Sequence, residues 1–184
     1  MPYPAKTTPD AILETALQLL ETGGPDGLTM RSLAEALGIK APSLYRHFAD
    51  RATLEAALVA HGVAQLQTLL EGIDTGTPAT RLRQAAGRYR EFARAHPALY
   101  GLMMQPQPSS GAPKALWNTV LELTSAVTER PDDTAAAVAL WAFLHGFVSL
   151  EHQGAFGASG PHSGFDTGLE ALMVGFGKIG AQIS

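Results

Sequence analysis

The chain has 184 residues, with 13 Lys and Arg against 17 Asp and Glu, a formal net charge of −4 and no cysteine. That length fits a small head plus a larger helical domain. The missing cysteine excludes disulfides and thiolate metal sites, and the mild acidity argues against binding nucleic acid through bulk positive charge. The opening Met-Pro-Tyr-Pro-Ala-Lys has no apolar run of the kind that begins a signal peptide, so a soluble, cytoplasmic protein is expected.

The first helix is expected over 9–22. Thr8 can cap it, Pro9 suits its first position, and Asp10 suits its positive end. Ile12, Leu13, Ala16, Leu17, Leu19 and Leu20 give it a broad inner face, and Gly23-Gly24-Pro25 stops it.

Residues 28–48 carry the most information. Thr29 can cap a second helix whose Leu33, Ala34 and Leu37 share one apolar face. Gly38 follows at once and can turn the chain sharply, because only glycine enters the left-handed region cheaply. Ile39 closes the turn against the core. Pro42 falls in the opening turn of a third helix, where a missing N–H does no harm. Leu44 and Phe48, four apart, face inward, leaving Ser43, Arg46 and His47 outside with Tyr45 at the edge. The pattern is a helix-turn-helix, which sets a helix in the major groove of DNA.

The stretch 29–58 resembles the N-terminal domain of tetracycline-repressor-like (TetR-type) transcriptional regulators, with Ala41-Pro42-Ser43-Leu44-Tyr45-Arg46-His47-Phe48 its most specific part. The resemblance implies that Thr29, Tyr45 and His47 hold DNA phosphates. It implies that Arg31, Ala41, Pro42, Ser43 and Arg46 lie against base edges, and that Arg51 touches the backbone or a flanking base. Lys40 departs from the commoner pattern, in which Ser or Thr caps the recognition helix, and adds a cation near the DNA. These roles suit the residue types. Arginine can bond guanine O6 and N7 together, alanine and proline can pack on a thymine methyl, and hydroxyls reach phosphates. Residues 1–51 hold five Lys and Arg against six Asp and Glu, yet 40–51 hold three cations and one acid.

A helix over 50–72 continues with Leu54, Leu58, Leu66, Leu69 and Leu70, linking the DNA-reading part to the rest. After a loop at 74–78, a helix over 78–95 carries Leu82, Ala85, Ala86, Tyr89, Phe92 and Ala93 on one side. Its arginines lie mostly elsewhere, as a solvated face paired with nearby acids rather than a second nucleic-acid surface. A short helix at 98–104, a loop at 105–113 and helices over 115–128, 132–153 and 163–182 follow, the last two separated by a glycine-rich loop at 154–164. The expected fold is all-α, about nine helices. Residues 1–50 form the helix-turn-helix DNA-binding domain, and 51–184 a helical effector-binding and dimerisation domain.

The stretch 134–150 has no formal charge. It is short for a membrane span, Ala-rich and interrupted by His145-Gly146. A helix apolar nearly all round must be covered on several sides. With the last helix it suggests either burial of both within one subunit or, as favoured here, a four-helix interface between two subunits through Ala139, Ala142, Gly146, Leu169, Leu172, Gly175, Phe176 and Ile179. The resemblance implies the same, since members dimerise through their last two helices. Trp141-Ala-Phe-Leu-His145-Gly146 further resembles a Trp-His-Gly subgroup of C-terminal domains.

Family members usually release DNA when a small molecule enters that domain. The lining expected here is Tyr89, Phe92, Tyr100, Met103, Met104, Trp117, Trp141 and His145, which suits an apolar effector with one orienting hydrogen bond. No carboxylate stands at a recognised metal spacing. No metal, cofactor or catalytic residue is expected, because the nucleophile-elbow, phosphate-loop and metalloprotease motifs are missing. The reading is therefore a palindrome-binding homodimeric repressor that recognises double-stranded DNA. The alternative is a helical small-molecule or partner-binding protein whose helix-turn-helix does not bind DNA.

Overall fold

The backbone folds entirely into helices and their connections wherever it is described. A computed structural model describes residues 8–105, 112–157, 160 and 163–182, without the side chains of 112, 113 and 178–182. Among these residues there are nine helices and no strand: α1 (Pro9–Gly27), α2 (Met30–Leu37), α3 (Ala41–Leu44), α4 (Arg51–Glu71), α5 (Pro78–Ala95), α6 (Pro97–Met103), α7 (Ala112–Thr128), α8 (Thr134–His152) and α9 (Gly164–Gln182). Much of the expected loops at 105–113 and 154–164 lies outside the described residues.

Local chemistry sets the boundaries. Thr8 Oγ1 accepts the Ala11 N–H at 3.2 Å and opens α1. The glycines expected to stop this helix instead kink it. Gly24, at φ 64° and ψ −169°, leaves the helical region, and Pro25 starts one more turn to Gly27. α2 begins with a reciprocal capping box, in which Thr29 Oγ1 accepts the Ser32 N–H and Ser32 Oγ accepts the Thr29 N–H, both at 3.0 Å. It ends at Gly38, at φ 65° and ψ 33°. There the Gly38 N–H reaches the Glu35 carbonyl and the Ile39 N–H reaches the Ala34 carbonyl, both at 3.0 Å. These two bonds satisfy carbonyls that a helix end otherwise strands. Asp50 Oδ1 accepts the Thr53 N–H at 2.7 Å at the start of α4. That bond lowers the Asp50 pKa from its ordinary value.

Packing divides the chain into two compact units, Met1–Ala64 with His96–Ser110, and Gln65–Ala95 with Gly111–Ser184. In the first, Ile12, Leu20, Leu28, Leu33, Leu44, Leu54 and Leu58 are sealed from solvent. α6 belongs to this unit for two physical reasons. The Glu21 carboxylate accepts the Ala98 and Leu99 N–H groups at 3.0 Å each. Gly62 on α4 gives room for Met103 and Leu99, since a Cβ there would lie 2.8 Å from Met103 Sδ.

In the second unit Leu82, Ala86, Leu140, Val148, Phe165 and Leu169 form the core. Phe143 lies on the α9 backbone at Gly168, where a Cβ would come within 2.5 Å of its ring. Arg90 on α5 pairs with Glu151 on α8 at 2.6 Å. Its guanidinium also stands 5.2 Å from the Phe147 ring centre and 4.7 Å from that of Phe165. One cation thus ties three helices together, with cation–π attraction adding to the ion pair. The hydrogen bond from Arg90 holds the Glu151 carboxyl below its ordinary value and raises Arg90.

Two outcomes are expected. Gly38→Ala forces a side chain into the left-handed region and lowers stability by about 1–2 kcal/mol, read from urea unfolding. Glu151 has a depressed folded-state pKa, so its contribution is present above the unfolded value and fades as pH falls through the folded one. Glu151→Gln is therefore less stable than the parent at pH 7. The gap closes below the ordinary glutamate value of about 4.3, as thermal unfolding across pH measures.

Candidate nucleic-acid interface

Three buried side chains decide what the helix-turn-helix presents. Leu33, Leu44 and Phe48 are in the core of the first unit. With Leu44 and Phe48 drawn inward, the chain between them must face out. Tyr45 is 50% exposed, and Arg46 and His47 are also exposed. Pro42 and Lys40 are exposed too, while Ala41 and Ser43 are half-buried.

The third helix is shorter than its sequence suggests. Only Ala41–Leu44 is regular α-helix, and Tyr45, Arg46 and His47 lie on the turns that follow. The Leu44 carbonyl accepts from both the His47 and the Phe48 N–H, at 2.9 and 3.0 Å. An i to i+3 bond of this kind tightens a helix end. Lys40 makes no side-chain cap at the other end.

The cations differ in their commitments. Lys40 and Arg46 have no side-chain hydrogen bond or ion pair among the described residues. Arg31 meets Glu35 at 3.4 Å, both widely exposed, a pair worth little in water. Arg51 is more constrained. Its Nε bonds Glu55 at 2.6 Å and its Nη2 bonds the Pro25 carbonyl at 2.8 Å, so it braces α4 against the kinked end of α1. The Thr29 hydroxyl is held in its capping box. Of the ten expected DNA-contacting residues, Lys40, Ala41, Pro42, Ser43, Tyr45, Arg46 and His47 thus form one continuous segment. Thr29, Arg31 and Arg51 already have partners within the fold.

Comparison with known proteins agrees with this geometry. The family described as "Bacterial regulatory proteins, tetR family" matches residues 12–58, and "Tetracyclin repressor-like, C-terminal domain" matches 82–174. An uncharacterised HTH-type transcriptional regulator of Mycobacterium tuberculosis is 31% identical over 159 residues, covering 82% of this chain and 73% of that one. The chain belongs to the tetR family of bacterial regulatory proteins. It is a DNA-binding transcriptional regulator by architecture, with an N-terminal helix-turn-helix followed by a larger helical domain. A tetracycline repressor of class A from Escherichia coli is 37% identical over 99 residues, covering 50% of this chain and 45% of that one. A solved structure of a protein of unknown function from Rhodococcus sp. RHA1 superposes with a TM-score of 0.77 at 27% identity, covering 97% of each chain.

Within this tetR-family fold the residues expected to line an effector site are not gathered in one unit. Tyr100, Met103 and Met104 belong to the first unit, and Tyr89, Phe92, Trp117, Trp141 and His145 to the second. Tyr89, Phe92, Tyr100 and Met103 are buried, and Met104, Trp117 and His145 half-buried. Trp141 is 45% exposed on the outer face of α8, beside His145 with ring centres 6.4 Å apart.

The expected dimer residues also divide. Leu169 and Phe176 are buried within their own unit, because the apolar spacing on α9 serves the subunit core first. Ala142 is exposed, and Ala139, Gly146, Leu172 and Gly175 are half-buried. Only the backbone of Ile179 is described. The outward apolar residues are instead Val138, Trp141 and Leu150 on α8 and Val174 on α9. α8, apolar nearly all round, gives no periodic signal to separate its inner stripe from its outer one, and on α9 Val174 falls outside the Leu169, Leu172 and Phe176 spacing, which is why sequence reasoning missed it. Nothing in the sequence flagged Glu21 as the cap of a helix 77 residues away.

The bonding pattern separates a bonded arginine, Arg51, from an unbonded one, Arg46. Arg51→Ala should lower the unfolding temperature, because it strands the Pro25 carbonyl and Glu55. Arg46→Ala should leave stability within about 0.5 kcal/mol while weakening DNA binding. Thermal unfolding and fluorescence-anisotropy titration of both variants distinguish the two roles.

Proposed function

We propose that the protein is a homodimeric repressor that sets Lys40 to His47 of each subunit into successive major grooves of a palindromic operator and leaves DNA when a small effector binds its second unit. The observation that carries this reading is the outward display of Lys40, Pro42, Tyr45, Arg46 and His47 around the buried Leu44, with two unpaired cations among them. Arg46 is the base reader, with Ala41 and Pro42 packing on methyl groups. Tyr45, His47 and Lys40 set the register on phosphates. Two-fold symmetry places the half-sites about 34–36 Å apart.

The outer faces of α8 and α9 support the homodimer. Val138, Trp141, Leu150 and Val174 are 45–55% exposed, and the space beside Gly146 and Gly175 is open. α8 is the one helix among the described residues long and apolar enough to cross a membrane. Its inner side, however, is packed through Ala136, Ala137, Leu140, Leu144 and Val148, and its Glu151 is paired with Arg90. A protein partner suits such a half-covered helix, with a second copy offering the same face. Effector release follows if the effector binds the two forms of the dimer unequally, since it shifts the equilibrium only by that difference.

Selection from random duplex DNA should enrich a palindrome. Arg46→Ala should then cost roughly 1–3 kcal/mol per half-site and relax preference at one position. Trp141→Glu should shift the protein to monomer in sedimentation and weaken operator binding. Folded dimer that enriches no sequence would instead favour a ligand- or partner-binding protein.

A further inference from the structure

α1 does not run straight to its end. Gly24 stands at φ 64° and ψ −169°, a torsion pair open essentially to glycine alone. A Cβ at that position would meet nothing within 4 Å, so backbone torsion, and not crowding, makes the residue a glycine. The last turn, Pro25 to Gly27, follows this kink. A helix end leaves its last four carbonyls without partners inside the helix. Those of Pro25 and Gly27 find their donors on two other helices.

Ser32, in the first turn of α2, takes the Gly27 carbonyl, its Oγ donating at 2.8 Å. The same oxygen accepts the Thr29 N–H at 3.0 Å and the Thr29 hydroxyl at 2.9 Å. One hydroxyl thus ties the capped start of α2 to the end of α1. Arg51, the first residue of α4, takes the Pro25 carbonyl through Nη2 at 2.8 Å, while Glu55 holds its Nε at 2.6 Å. Two carbonyls, two residues apart, therefore hold the starts of two helices.

Those two helices bracket the exposed segment. The chain enters it from α2 and leaves it into α4. Gly38 sets the angle at which the chain leaves α2, and the two hooks set where α2 and α4 begin. We infer that Ser32 is a positioning residue for DNA reading: together with Arg51 it hangs both ends of the helix-turn-helix on the Gly24 kink, and so fixes the spread of α2 and α4 that displays Lys40 to His47. Its own hydroxyl is spent inside the fold, so it acts through that segment and not as a DNA contact.

The inference rests on the DNA-reading segment proposed above and names what holds it in shape. Loosening the Ser32 hook removes no apolar side chain, so Leu33, Leu44, Leu54 and Leu58 still supply the core of the unit. What it removes is a fixed spread between two helices. Base contacts need that spread, whereas attraction to phosphates is independent of sequence and tolerates a looser fit. Operator and random DNA therefore respond differently to the loss. A smaller folded fraction cannot imitate this, because it lowers both apparent affinities by the same factor.

The test compares the full-length parent with Ser32→Ala, Gly24→Ala and Ile12→Val. Ile12 is sealed in the same core, and shortening it destabilises the unit without touching either hook. Each protein is titrated by fluorescence anisotropy with the duplex that the parent selects and with random duplex of equal length. Ser32→Ala should lower the ratio of the two affinities about three- to tenfold, the equivalent of one net hydrogen bond. Gly24→Ala should do the same by moving the carbonyls instead of the donor, and Ile12→Val should keep the parent's ratio. The chain has no cysteine, so Ala36→Cys with Ala56→Cys, exposed on α2 and α4, takes a spin-label pair that reads the spread without DNA. Ser32→Ala should broaden that distance distribution, and Ile12→Val should not. A parent-like ratio in Ser32→Ala or Gly24→Ala, an equal fall in Ile12→Val, or an unchanged distance distribution in Ser32→Ala would each overturn the assignment. The DNA-reading proposal fails differently: the distribution broadens in Ser32→Ala, but the parent enriches no sequence.

Discussion

The left-handed turn at Gly38 is the constraint on which the DNA-reading surface depends. Its N–H and that of Ile39 close the last carbonyls of α2, so the chain leaves that helix in one direction only. That exit angle drops Leu44 and Phe48 into the core beside Leu33. Once both are buried, the three residues between them must face solvent. The exposure of Tyr45, Arg46 and His47 is therefore a consequence of apolar packing and one backbone torsion, with no contribution from their own charges. A reading surface made this way keeps its shape before DNA arrives, which limits the ordering cost of binding.

That logic explains why the N-terminal region was legible from sequence. The cap at Thr29, the stop at Gly38 and the inward pair Leu44 and Phe48 each rest on local rules, and local rules act within a few residues. The same rules fixed α4, α5 and α8 to within a residue or two. They were weaker where long-range partners decide. α3 closes after four residues because the Leu44 carbonyl takes two donors. α1 continues past its glycines because Pro25 can start a fresh turn. Arg51, expected to touch the DNA backbone or a flanking base, also donates to the Pro25 carbonyl, a bond that no local pattern foretells. In the second unit the apolar residues of α8 and α9 outnumber the available inward positions. Sequence pattern could say that both helices are covered on several sides, but not which stripe the subunit itself covers.

The α5 arginines, expected on a solvated face paired with nearby acids, find those acids on neighbouring helices and so act as joints. Arg90 holds Glu151 while lying over Phe147 and Phe165, and Arg83 pairs with Glu170 across α5 and α9. Arg88 caps the end of α4. The α5 arginines thus reach out to three neighbouring helices. A motion of α5 would be felt by α4, α8 and α9 together. A helix bonded to so many neighbours can carry a signal because it has few independent ways to move.

The acidity of the chain bears on how such a protein binds DNA. Four arginines and lysines stand in or beside the motif, but Glu35 and Glu55 offset Arg31 and Arg51. Lys40 and Arg46 are left. Counterion release scales with the number of phosphates neutralised, so two cations per subunit supply little sequence-independent affinity. In the proposed homodimer, binding then depends on simultaneous engagement of two half-sites and on the fit of a few base contacts. In that reading dimer geometry is the controlling variable. Where affinity comes mainly from charge, a small change in half-site spacing is tolerated. Where it comes from two rigid, weakly charged surfaces that must engage together, the same change removes most of the binding. A weakly basic head is thus well matched to control through a helix that joins the two units.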